Sequence, residues 1–219
     1  SSRASGAPIQ RWIPLPKAIC ALRRRVISTA SGASKISESR PAASSEANTQ
    51  PIPFLVDHVH ELGSGSALVL AAGTGRNAVY LAQQGLDVTA LDVSQVGLAR
   101  CQKLASEREV RVTTVCTDLE NHNLGEAKYD LITKIYYYQP GIFPAIRRAL
   151  KSGGRFLFQT FSKTHADIGT FGPRNPDYLA CQSDVLEPFQ NDRIILYEDR
   201  VLEDGEDTEA IIRLIVEKR

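Results

Sequence analysis

The sequence predicts a doubly wound α/β fold: a mostly parallel sheet, helices on both faces and an antiparallel edge strand. Three observations point there. From Pro51 onward, strand-sized apolar runs alternate with helix-forming stretches, and regular alternation demands parallel strands joined by crossover helices. Residues 67–92, ALVLAAGTGRNAVYLAQQGLDVTALD, hold one such unit: an apolar run, a tight Gly73-Thr74-Gly75 turn, a helix-forming stretch, then a second apolar run ending on Asp92. The last two strand signals are joined by a short acidic turn, which reads as a hairpin.

In chain order, residues 54–62 read as a helix leading into a first strand at 67–71. A helix follows at 77–84 and a second strand at 87–92. Ser94 is a natural N-cap for a helix running to about Arg108. Residues 110–116 and 129–135 read as the third and fourth strands. Residues 142–150 make a helix, 151–154 a turn and 155–161 a fifth strand. An irregular stretch with Gly169, Gly172, Pro173 and Pro176 precedes the final strands at 193–197 and 210–217.

Residues 1–50 are different in kind. They are rich in Ser and Ala and show no core periodicity. The first acid is Glu38, yet Arg3, Arg11, Lys17, Arg23, Arg24, Arg25 and Lys35 precede it. Residues 17–29 fit a basic amphipathic helix. An acid-free leader of this composition resembles an organelle transit peptide, and a disordered tail is the alternative. The expected organisation is an N-terminal extension over 1–50 and a catalytic-type domain over 51–219. The expected location is cytoplasmic, or mitochondrial or plastid if the leader is a transit peptide.

At 219 residues the chain suits one domain with a sizeable core. Lys plus Arg is 26 against 25 Asp plus Glu, so no global field argues for nucleic acid or a membrane surface as partner. No apolar stretch approaches the ~20 residues of a membrane span. The four cysteines show no C-x-x-C spacing, so neither a metal site nor a disulfide framework is expected.

The glycine turn carries the chemistry. Gly73 and Gly75 let backbone approach a ligand where a side chain would clash. The following helix offers unpaired amides beside it. Asp92, closing the second strand, can accept hydrogen bonds from a ribose diol. This is the pattern of an adenosine-cofactor site. Gly73-x-Gly75-x-x-Ala78 also fits the dinucleotide fingerprint, so a nicotinamide-dependent oxidoreductase is one reading. Asp118-Leu119, closing the third strand, discriminates: an acid there suits an exocyclic adenine amine, and Leu119 can pack on the base. The carboxylates also suit a cofactor that is itself cationic.

Residues 51–219 resemble the class I S-adenosylmethionine-dependent methyltransferases, and more closely small methyltransferases of the tellurite-resistance-like kind. The resemblance is carried by Gly75-Arg76-Asn77-Ala78-Val79-Tyr80-Leu81-Ala82, by Lys151-Ser152-Gly153-Gly154 and by Phe171-Gly172-Pro173-Arg174-Asn175-Pro176-Asp177-Tyr178-Leu179. It implies a Rossmann-like, seven-stranded sheet and S-adenosyl-L-methionine as cofactor. It implies cofactor contacts from Gly73, Gly75, Asn77, Asp92, Asp118 and Leu119, and methyl transfer to a small-molecule acceptor by in-line displacement. Val69 and Ala71 depart from it, standing where relatives carry an acid and a further glycine. An upstream Trp-Asp-x-Arg-Tyr-like element is also missing, Arg11-Trp12 being its faintest echo. A catalytically inactive, methyltransferase-like binding protein is a further reading.

Methyl transfer from a sulfonium needs alignment and water exclusion more than a fixed catalytic set, so the candidates are few. Tyr136 heads Tyr136-Tyr137-Tyr138-Gln139-Pro140 after the fourth strand. One or two of these tyrosines either wall the pocket, with cation–π help toward a sulfonium, or pack under the sheet's end. His165 reads as a base or as a solvent-facing loop histidine. Residues 171–179 read as a rigid loop over the site, with Arg174 meeting an anionic acceptor, or as plain turns. His58 and His60 read as structural, Cys116 as core and 203–207 as a solvated turn. The acceptor and the oligomeric state are left open by the sequence.

Overall fold

The computed structural model describes residues 49–219, so the expectations for the leader, including residues 17–29 and Arg11-Trp12, lie outside the described residues. The elements are α1 (Pro53–His58), β1 (Ser66–Leu70), α2 (Arg76–Gln83), β2 (Asp87–Asp92), α3 (Gln95–Glu107), β3 (Val112–Cys116), β4 (Tyr129–Ile135), α4 (Phe143–Ala149), β5 (Leu150–Phe161), α5 (His165–Ile168), α6 (Gln182–Leu186), β6 (Arg193–Asp204) and β7 (Asp207–Glu217). The strands form one seven-stranded sheet in the order β3-β2-β1-β4-β5-β7-β6. Strands β1 to β5 pair in parallel. The antiparallel edge is a hairpin: β7 pairs with both β5 and β6, and Asp204 meets Asp207 across Gly205-Glu206.

Alternation along each strand builds a core on both faces. Every residue of β1 from Ala67 to Leu70 is buried, as a strand covered on two sides requires. Ala67 and Val69 join Leu81, Cys101 and Leu104 beneath α1, α2 and α3. Leu68 and Leu70 join Phe143, Phe156, Phe158 and Phe189 on the opposite face, which α4 and α6 cover. Val69 stands where the family pattern has an acid, and here it is core. Strand order reverses between β1 and β4, so the loops leaving their carboxyl ends diverge. Open sheets of this kind bind ligands at that point.

Local chemistry sets the boundaries. The Ser94 hydroxyl accepts the Gly97 amide at 3.0 Å and starts α3. At the amino end of β4, Asp130 accepts the Lys151 ammonium at 2.7 Å and the Ser66 amide at 2.8 Å. Those bonds, Lys151 first, lower its carboxyl to about 2. Residues 151–154, expected as a turn, lie inside β5. Tyr129 pairs with Leu150 but Leu131 pairs with Arg155, so the strand bulges. The glycines do bend the chain, while Gly153 donates to the Lys218 carbonyl and Lys218 to that of Gly154, keeping the segment in the sheet. Cys116, expected in the core, is exposed because β3 is the outer strand of the sheet. No helix among the described residues is long and apolar enough to cross a membrane.

Lys134 of β4 is fully buried. Alternation puts it on the face of Ile132, among the aromatic side chains. Its ammonium donates to the Gln139 carbonyl at 3.3 Å and lies 4.7 Å from the Phe143 ring centre and 5.1 Å from that of Phe158. The rings of Tyr137 and Tyr138 stand at 5.2 and 5.9 Å. Burial holds its pKa well below the ordinary lysine value.

Lys134→Met keeps the length and removes the desolvation cost, so the variant should have the higher thermal midpoint at neutral pH. The unfolded lysine titrates near ~10.4 and the folded one below it, so between those values the unfolded chain holds the extra proton. Wild-type stability should therefore climb with pH across that interval. Denaturant titrations from pH 7 to 10 should show this slope in the wild type and not in K134M; equal slopes would contradict the assignment.

Candidate cofactor and acceptor site

The turn after β1 is left-handed at three residues: Ala71 (φ +52), Gly73 (φ +56) and Gly75 (φ +83). An L-residue in that region costs ~1–2 kcal/mol, so Ala71 is strained at the position where the family pattern has glycine. Hydrogen bonds hold the turn. Ala72 donates to the Leu91 carbonyl, and Gly75 to that of Ala72, both at 3.0 Å. The Gly73 amide donates to Asp92 Oδ2 at 2.7 Å, and the Ser94 amide to Oδ1 at 2.7 Å. Asp92 thus ties the turn after β1 to the end of β2. A carboxylate has about four lone-pair positions, so both oxygens keep capacity for a diol.

The two glycines, both expected to admit a ligand, divide the work. A Cβ on Gly73 would meet nothing within 4 Å. A Cβ on Gly75 would collide with the Cys101 side chain and stand 2.9 Å from its Cα, so this glycine seats α3 against the turn. Gly97 does the same from the other side, where a Cβ would come within 2.9 Å of the Gly73 carbonyl. No side chain caps α2, so its first amides present the positive end of the helix dipole there. Asn77, expected beside the cofactor, is only 8% exposed and its Oδ1 accepts the Ile52 amide at 3.1 Å. It tethers the chain entering α1.

Asp118 is exposed beyond β3 and folds its own turn, accepting the Glu120 amide at 3.0 Å and the Asn121 side-chain amide at 3.1 Å. Leu119 is buried in the core with Leu70 and Leu91, leaving little surface for a base. Tyr137 packs against the same core cluster as Leu119. Its hydroxyl donates to Gln139 Oε1 at 2.8 Å. Burial, then the negative charges of Glu120, Asp118 and Asp92, raise its pKa. The half-buried phenol therefore lies in the negative field of these three carboxylates.

The consecutive tyrosines diverge because Tyr136 is left-handed (φ +51). Tyr137 turns to the carboxylates, and Tyr138 crosses to Asp184 at 2.8 Å. Tyr136 donates to both oxygens of Glu209, at 3.0 and 2.9 Å, and accepts from Gln159 Nε2 at 2.8 Å. Burial and then Glu209 push its pKa far up, so it stays a neutral phenol. No local signal in the sequence marks Glu209 or Gln159. Alternation puts Glu209 on one face with Ile211 and Arg213, but only the β5–β7 register brings it to Tyr136.

His165 is fully buried, which corrects the solvent-facing reading. Its Nδ1 accepts the Ala210 amide at 3.2 Å, which leaves Nε2 to donate to the Phe171 carbonyl at 2.6 Å. With both nitrogens engaged, it pins the loop after α5 to β7 and has no lone pair for a substrate proton. Arg174 spends its guanidinium on the carbonyls of Ala166 and Gly169, at 2.8 and 2.7 Å. Among the described residues no cluster of His, Cys, Asp and Glu could hold a metal ion.

Residues 67–154 match the methyltransferase-domain family. A search of curated proteins returns no match. Among solved structures, TehB from Haemophilus influenzae superposes with a TM-score of 0.67 at 18% identity, over 77% of this chain and 63% of TehB. The chain therefore spans less than two-thirds of TehB's length. A SAM-dependent methyltransferase from Mesorhizobium loti gives 0.61 at 18% identity, over 76% of this chain and 96% of that one. The 4+2 cyclase SpnF gives 0.61 at 20% identity, over 83% and 85%. At these identities the superpositions speak for the fold. By its strand order and these superpositions the chain resembles TehB in fold and has the class I S-adenosylmethionine-dependent methyltransferase fold, with residues 67–154 matching the methyltransferase-domain family.

Proposed function

We propose that the chain is an S-adenosyl-L-methionine-dependent methyltransferase that methylates a small molecule by in-line displacement. The observation that carries this reading is the open space over left-handed Gly73, directly beside the carboxylate of Asp92. Backbone with nothing in front of it, next to a carboxylate with spare lone pairs, suits a ribose. Asp92 would take the ribose hydroxyls and Asp118 an exocyclic amine. Gly75 and Asn77 would hold the frame rather than the ligand.

The cofactor supplies a methyl group already activated by its sulfonium. The chain's part is to orient the acceptor and keep water out. Asp92, Asp118 and Glu120 around Tyr137 favour a cationic ligand, whereas a dinucleotide pyrophosphate would meet repulsion there. This weighs against a nicotinamide-dependent oxidoreductase. A net charge of +1 gives no attraction toward nucleic acid or a membrane surface, which favours a small acceptor.

Calorimetric titration of the full chain with S-adenosylhomocysteine and with NADH tests the reading. A saturable heat with the thioether and none with NADH is expected. The reverse would establish the oxidoreductase, and no heat with either would leave a binding protein that has lost the cofactor. Glycine variants separate ligand from frame. Gly73→Ala should keep a cooperative thermal transition yet weaken thioether binding at least about tenfold. Both variants carry the ~1–2 kcal/mol of a left-handed L-residue, and Gly75→Ala should lose about 1–3 kcal/mol beyond that, since its Cβ also overlaps Cys101. Equal effects of the two substitutions on folding would contradict the division.

A further inference from the structure

The loop after β4 and strands β5 and β7 hold a chain of polar side chains that the cofactor reading does not use. It runs from Glu209 through Tyr136 and Gln159 to Arg213, whose Nε donates to Gln159 Oε1 at 2.9 Å. Arg213 also meets Glu198 at 3.4 Å and lies 4.8 Å over the Phe54 ring. Each link is hydrogen-bonded on both sides, so the Tyr136 hydroxyl is fixed before any ligand arrives. Its left-handed backbone is a cost that persists only where the surroundings over-determine it.

Glu209 ends this chain and is only partly buried. The Tyr136 hydroxyl is its side-chain partner, and among the described residues no Lys, Arg or His nitrogen lies within 4.0 Å of it. Of the charged groups nearby, Arg213 is engaged with Glu198 and Gln159, and Arg76 at the start of α2 acts on the Tyr136 hydroxyl. Beside the carboxylate lies an apolar floor. Its base is buried Phe161, packed with Ile211, Leu179 and the His165 ring, while the flanking Tyr136 and Phe171 rings, 4.9 and 6.0 Å from Phe161, are only partly buried. An oriented carboxylate beside partly exposed aromatic rings gives a cationic nitrogen a charge-assisted hydrogen bond and gives its apolar body a surface to lie on.

We infer that Glu209 is the recognition carboxylate for an acceptor carrying a protonated amine on an apolar body, with Tyr136 as its positioning residue. The inference rests on the methyl-transfer reading of the cleft. It assigns a substrate class that neither the domain match nor the similar folds specify.

Binding of phenethylamine, 2-phenylethanol and 3-phenylpropanoate to the full chain, by calorimetry at pH 7.5 with and without S-adenosylhomocysteine, tests it. The wild type should bind the amine roughly tenfold more tightly than the alcohol and should disfavour the carboxylate. Glu209→Gln should abolish the preference while leaving the thermal midpoint and thioether binding unchanged. Tyr136→Phe should reduce the preference without removing it. Equal binding of amine and alcohol, no amine binding, tighter carboxylate binding, or a preference surviving in E209Q would each overturn the assignment. Amine selectivity without thioether binding would instead sink the cofactor reading alone.

Discussion

The carboxylate of Asp92 fixes the geometry on which the cleft depends. It accepts amides from Gly73 and Ser94, both at 2.7 Å, so one side chain sets the turn after β1 and the entry to α3 together. Bonds to an ionised acceptor are roughly twice as strong as neutral ones, which lets it hold a turn with three left-handed residues. Gly75 and Gly97 then allow α3 to close on that turn without a side chain between them. What stays open is the space over Gly73. The ligand surface proposed there is thus a consequence of packing: it is where α2, α3 and the turn leave the reversal in strand order unfilled.

The second constraint is the left-handed Tyr136. Strand alternation would send Tyr136 and Tyr138 the same way, but the twist at Tyr136 distributes the three tyrosines. Tyr137 is left to the acidic side of the cleft, Tyr138 to α6 and Tyr136 to β7. Beneath them Lys134 binds the Gln139 carbonyl from within an aromatic shell, closing the loop from below. The loop between β4 and α4 is therefore built from both sheet faces.

Local signals were the legible ones. The strands at 87–92 and 129–135 fall where expected, since turn residues bracket each apolar run. Ser94 caps α3 because a cap depends on atoms three residues away. The place of the glycine turn after β1 and of Asp92 at the end of β2 was readable for the same reason. What escaped depends on partners distant in sequence. His165 reads as a loop residue until Ala210 and Phe171 close on it. Asn77 belongs to the family motif, yet its carbonyl oxygen is taken by Ile52. Cys116 sits in an apolar run, but only the sheet order reveals it on an outer strand. Glu209 needs the register of an antiparallel strand to meet Tyr136. Residues 151–154 carry turn chemistry, and their neighbours in β4 and at Lys218 hold them in the sheet nonetheless.

The central claim is that the ligand surface lies over Gly73 and Asp92 at the reversal between β1 and β4. Amide NMR of the isotope-labelled chain during titration with S-adenosylhomocysteine tests it most directly. The largest shifts should fall at Gly73, Thr74, Asp92 and Tyr137, with the Asn77 side-chain amide and the bulge at 151–154 unmoved. Shifts centred on that bulge, or none at Gly73 under saturating ligand, would contradict it.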